Sequence, residues 1–144
     1  MATRLETAGQ AAVRTFRWLF LVAALYDGIL GAVFFFLFRP IFERMGIELP
    51  NNTSYIHLTA GFIFVQGLGY WFVYRDMLRN MDLVKLGVVY KAIYSLVALY
   101  YLAIGQLPNA VFAWFAVCDV LFIVGFVWFL VRARPEHLRP VPQS

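Results

Sequence analysis

The sequence predicts an all-α fold, a polytopic membrane four-helix bundle with both termini cytoplasmic. Three observations carry this. Of the 144 residues, 62% are hydrophobic and 14% charged, whereas a soluble domain has about 45–50% apolar and about 25% charged residues. Four apolar segments reach the roughly 20 residues that cross a bilayer as a helix. The lysines and arginines collect on one side of those segments, as membrane topology requires. A water-soluble core of this size could not hide so much apolar surface, and the mean hydropathy of +0.73 says the same.

The first span is expected at Trp18–Phe38. Its apolar run is broken only by Asp27 and is longer than the ~7–15 residues of a signal-peptide core. Arg39-Pro40 is expected to end it, because proline disfavours helix at the residue before it. The next residues, 40–46, read as a short segment in the outer interface with Ile41, Phe42 and Met45 facing lipid. The first fifteen residues fit either a weak amphipathic helix (Leu5, Ala8, Ala12, Phe16) or a frayed tail.

Leu49-Pro50-Asn51-Asn52-Thr53-Ser54 supplies a breaker and several N-caps for a second span, Tyr55–Tyr74. A polar link, Arg75 to Asp82, leads to the third, Leu86–Ile104. Gly105-Gln106-Leu107-Pro108-Asn109 turns into the fourth, Ala110–Val131, with Asn109 as its N-cap. The whole reads as a single membrane domain, 1–144. Leu-Pro-Asn stands before both even-numbered spans, and Gly67 and Gly125 keep the same spacing from it, which hints at two duplicated hairpins.

Orientation follows from the cations. Arg4, Arg14 and Arg17 precede the first span, Arg75, Arg79 and Lys85 join the second to the third, and Arg132, Arg134 and Arg139 follow the fourth. Only Arg39 and Arg44 stand on the other side, and Lys91 is inside a span. The expected location is a bacterial cytoplasmic (inner) membrane. The net charge of +4 does not point to nucleic acid, since the basic residues mark helix ends and form no patch. Tyr55, Trp71, Tyr74, Tyr100, Tyr101 and Trp128 lie near span ends, as an aromatic belt requires.

The residues that could carry chemistry are the charges inside the spans, Asp27, Lys91 and Asp119. A charge at mid-bilayer costs at least ~2.5–3.5 kcal/mol on insertion scales and usually faces the bundle interior or water. By helical rise, Asp27 lies about 15 Å from Arg17 and Asp119 about 20 Å from Arg132, both near mid-depth. Neither short carboxylate can reach an interface. Lys91, about 9 Å from Lys85, can either snorkel toward water or pair with an aspartate.

Small residues run beside these charges: Ala24, Gly28 and Gly31 on the first helix, Ala60 and Gly67 near Gln66 on the second, and Gly87 and Ala98 on the third, in one stripe with Lys91 and Tyr94. Such spacing lets helix backbones approach closely. Gly28, Gly31, Gly67 and Gly87 are therefore expected at helix contacts, and Asp27, Lys91, Asp119, Tyr94 and Gln66 in an inward polar site. His57 reads as an interfacial or packing residue, and Cys118, the single cysteine, as a small apolar one. Phe34-Phe35-Phe36 reads as lipid-facing bulk. No metal cluster, phosphate loop, nucleophile elbow or dinucleotide fingerprint is present, and no cofactor is expected.

The Arg17-led first helix with Gly28 and Gly31, the loop Arg39-Pro40…Met45-Gly46-Ile47-Glu48-Leu49-Pro50, and Gly61…Gly67-Leu68-Gly69-Tyr70 together resemble small bacterial four-helix membrane proteins of the DoxX-like type. DoxX is associated with thiosulfate–quinone oxidoreduction, so the resemblance implies a subunit that touches quinone or another apolar small molecule. It carries no catalytic residue over to this sequence. The reading favoured from the sequence is a non-catalytic subunit or scaffold of a membrane assembly, with the bilayer and other membrane subunits as partners. A lipid- or sterol-like ligand-binding protein, or an enzyme using intramembrane carboxylates, is the other alternative.

Overall fold

The computed structural model describes the backbone of residues 2–133 and the side chains of residues 14–133. The apolar face expected for the first fifteen residues lies almost wholly outside the described side chains, as do Arg4, Arg134, His137 and Arg139. The described chain is all helical: α1 Ala2–Met45, α2 Ser54–Arg75, α3 Met81–Ala103 and α4 Val111–Arg132. Each of the four is long and apolar enough to cross a membrane.

Helix α1 departs most from expectation. Arg39-Pro40 does not end it. The helix breaks its geometry at Leu37 (φ −121°, ψ 15°), then runs on through Pro40 to Met45. Proline cannot donate to the carbonyl of Phe36, and its ring crowds the preceding turn. A kink just before the proline relieves both constraints, and the helix resumes with Pro40 in its first turn, where a missing N–H costs nothing. The kink also re-aims the short segment that follows. Phe42 is buried, contrary to the lipid-facing position expected for it, and its ring packs edge-on against Phe34 and Phe38.

The two hairpin loops are built alike. The chain leaves α1 through Gly46 (φ +65°) and α3 through Gly105 (φ +68°), positive-φ positions at which a side chain is strained. Each loop then enters the next helix through an asparagine. Asn52 Oδ1 accepts from the Ser54 N–H at 3.0 Å, and Asn109 Oδ1 from the Val111 N–H at 2.9 Å. Asn109 Nδ2 also donates to the Met45 carbonyl, 3.3 Å away, tying the start of α4 to the end of α1. Between α2 and α3, Asn80 Nδ2 donates to the carbonyls of Phe72 and Asp76. Helix α3 begins earlier than hydropathy suggests, at Met81, and its polar first turn carries an exposed Lys85–Asp82 ion pair of 2.7 Å.

Helix α1 packs along α2, and α3 along α4. Glycines set the first of these contacts. A Cβ on Gly31 would lie 2.5 Å from the backbone nitrogen of Phe64 and 2.8 Å from the carbonyl oxygen of Ala60. One on Gly67 would strike the backbone of Gly28. Gly28 itself differs: it offers its backbone to Gly67, but a Cβ there would meet nothing within 4 Å. Gly125 stands in α4 where Gly67 stands in α2, yet it faces the Leu19 side chain rather than backbone.

The interior divides in two along the bundle axis. Toward the end where α2 and α4 finish, Phe16, Phe20, Tyr70, Val73, Val84, Phe126 and Phe129 fill it as a packed core. Phe20 stacks on Phe126 with ring centroids 5.2 Å apart. Toward the other end a cavity remains. The outer faces are apolar throughout, with Trp18, Phe36, Phe62, Leu96, Trp114 and Leu121 all well exposed.

Candidate functional site

Asp27 from α1, Lys91 from α3 and Asp119 from α4 meet where the packed core gives way to the cavity. Lys91 is 0% exposed, Asp27 2% and Asp119 5%. The lysine does not snorkel. Its ammonium donates to Asp27 Oδ1 and Oδ2 at 3.1 and 3.0 Å and to Asp119 Oδ1 at 2.7 Å. An ammonium has three donors, and all three are used. The rings of Tyr26, Tyr70 and Phe122 surround it, with centroids 5.4, 5.5 and 5.0 Å from Nζ, so the charge is also held by aromatic faces.

Each of these positions has a local cause. Lys91 lies one turn after Gly87, and a Cβ on Gly87 would come within 2.6 Å of the Tyr70 ring and hydroxyl. The missing side chain therefore seats Tyr70, 0% exposed, directly beside the lysine. Helices α3 and α4 are tied at this depth by polar contacts. Ser95 Oγ donates to the Ala116 carbonyl and the Tyr94 hydroxyl to that of Phe112, both at 3.2 Å. That pins the rotation of α4 and turns Asp119 inward.

The cavity above the charges has a volume of about 250 Å³. Asp27 and Asp119 form its floor, Leu30, Ile63 and Phe115 line its walls, and Phe42 and Tyr55 stand near its mouth. The floor is not fully satisfied. Asp119 gives only Oδ1 to Lys91, and no hydrogen bond among the described residues reaches Oδ2. The Tyr26 hydroxyl, on another cavity-lining residue, is buried without a hydrogen-bond partner. A buried polar atom left so costs about 1–3 kcal/mol. Two carboxylates against one ammonium also leave the cluster with one formal negative charge.

The remaining sequence candidates fall in different places. Tyr94 lines the cavity. Gln66 does not; it is half-buried on α2, one turn before Tyr70. His57 packs between the rings of Phe35 and Phe38, both 5.0 Å away. Phe34 corrects the expectation of lipid-facing bulk: it is half-buried and lines the cavity, whereas Phe36 is 77% exposed. Reading the sequence alone missed Tyr26, Tyr70, Tyr90, Thr59 and Phe122. Tyr26 adjoins Asp27 in sequence, but consecutive helix residues point about 100° apart, so adjacency gave no reason to group them. Among the described residues no group of three or more His, Cys, Asp or Glu could hold a metal ion.

Comparison with protein-family models, curated proteins and solved structures finds no match. The site is therefore read from its own geometry.

Proposed function

We propose that this is an integral membrane protein that binds a small amphiphile within the bundle, its apolar body in the cavity and its cationic or hydrogen-bond-donating head on Asp119. The observation that carries the reading is the free Oδ2 of Asp119 on the floor of a mostly apolar cavity. Pockets of this build, apolar walls with a few convergent polar groups, are where small molecules bind. A scaffold role does not call for such a cavity. The head follows from charge: a carboxylate with a spare oxygen, in a cavity that an unpartnered hydroxyl also lines, attracts a cation or a donor. A quinone, which the DoxX-like resemblance implies, presents carbonyl acceptors that would face carboxylate lone pairs, while the quinol form presents hydroxyl donors. We place the protein in a bacterial cytoplasmic membrane with both ends inside, on the positive-inside count.

The test uses the purified protein in nanodiscs of zwitterionic lipid, with phenylbutylamine as probe and phenylbutanol as its uncharged counterpart. The amine should bind at least about tenfold more tightly than the alcohol, a difference of about 1.4 kcal/mol, and Asp119→Asn should erase that preference. Equal binding of amine and alcohol to the parent protein would exclude a cationic head. Binding of ubiquinol in place of either would favour the quinol reading.

A further inference from the structure

At the opposite end from the first cavity, where α2 and α4 finish, lies a second one of about 470 Å³. Three arginines from three helices line it: Arg17 of α1, Arg75 of α2 and Arg132 of α4. None forms an ion pair with a described residue. Arg17 lies over the Tyr74 ring, 4.8 Å from its centroid, which fixes one guanidinium at the rim. One carboxylate, Asp76, shares the lining, but its Oδ1 already accepts the Arg79 backbone N–H at 3.1 Å. The balance at the rim is three cations to one anion. The inner wall is apolar, made by the buried Phe16, Met77 and Phe129.

We propose that this cavity binds the headgroup of an anionic phospholipid, its phosphate held by Arg17, Arg75 and Arg132 and the upper acyl chain laid on Phe16, Met77 and Phe129. Arginines at the ends of spans are common and by themselves say only which side faces the cytoplasm. Here they converge on one concavity with an apolar floor, near the ends of three segments long and apolar enough to cross a membrane. A guanidinium presents paired N–H donors that match phosphate oxygens, and basic pockets between membrane helices hold anionic headgroups in this manner. Inorganic phosphate would satisfy the arginines but would leave the apolar wall unused. Phosphatidylcholine would reach the same wall, but its choline would oppose the cationic rim.

The experiment is native mass spectrometry of the full chain released from detergent after titration with phosphatidylglycerol, phosphatidylcholine or inorganic phosphate. One phosphatidylglycerol should be retained at concentrations at which the other two are lost. Arg75→Gln and Arg132→Gln, both exposed positions, should each weaken retention about fivefold. The double variant Arg39→Gln, Arg44→Gln, at the other end of the bundle, should leave it unchanged. Equal retention of phosphatidylglycerol and phosphatidylcholine, equal retention of inorganic phosphate, or equal loss in the Arg39, Arg44 variant would each overturn the proposal. Because the amine-binding cavity is not involved, its failure or success is read separately.

Discussion

At Lys91 three N–H donors meet three carboxylate oxygens, and the ammonium is closed off from solvent by three aromatic rings. Removing one member of such a cluster leaves the others uncompensated, a loss of about 3–5 kcal/mol when a buried pair is broken. Lys91→Met should therefore lower the thermal unfolding temperature in detergent sharply, since Asp27 and Asp119 would face each other without a counter-charge. Adding Asp27→Asn and Asp119→Asn to it should recover most of that loss. A Lys91→Met protein as stable as the parent would mean that the ammonium is not the counter-charge the geometry makes it. Ser95→Ala tests a neighbouring contact. It removes a single neutral hydrogen bond to the Ala116 carbonyl, so its cost should be about 0.5–1.5 kcal/mol in the same assay.

Between helices, the contact of α1 with α2 is set by glycines whose missing side chains admit a neighbour's backbone. Backbone cannot move aside as a side-chain tip can, so even one methyl group forces the helices apart. Gly31→Ala and Gly67→Ala should each destabilise by about 1–3 kcal/mol, the usual cost of overpacking. Gly28→Ala should be silent or slightly stabilising, because its Cβ would enter open space and alanine is the better helix former. Thermal scans of the three variants check this, and a Gly28→Ala protein as damaged as Gly67→Ala would mean the helix rotation is wrong. Gly87 belongs to a different case. The atoms facing it are those of the Tyr70 ring, so Gly87→Ala should act on the aromatic surround of Lys91 rather than on helix spacing.

For the molecule as a whole, the positive-inside count predicts both ends on the cytoplasmic side. In a Cys118→Ser background, Glu48→Cys should react with a membrane-impermeant maleimide added to intact cells, and Arg79→Cys should react only after the membrane is opened. The reverse pattern would invert the orientation, and with it the leaflet that reaches the arginine-lined cavity. The two cavities stand at opposite ends, separated by the packed aromatic core around Phe20 and Phe126.

How much of this was legible follows from what each signal measures. Hydropathy is a sum along the chain, and the requirement that a span bury its backbone polar groups is local, so four helices and their approximate limits could be read directly. The cost of a charge at mid-depth is likewise a property of position, which singled out Asp27, Lys91 and Asp119 before any contact was known. Proline was misread as a stop because the sequence shows its missing donor but not whether neighbouring helices will hold a kinked continuation. Phe34 and Phe42, expected at lipid, turn inward for one shared reason. Which face of a helix turns inward depends on its rotation against its neighbours, and in chains apolar on every side no polar stripe records that rotation. The sequence by itself determined four apolar helices and three charges that had to be accommodated among them. Only the tertiary structure decided that one lysine would satisfy both aspartates while one oxygen of Asp119 stayed free, because that outcome rests on side chains from three helices meeting at one depth.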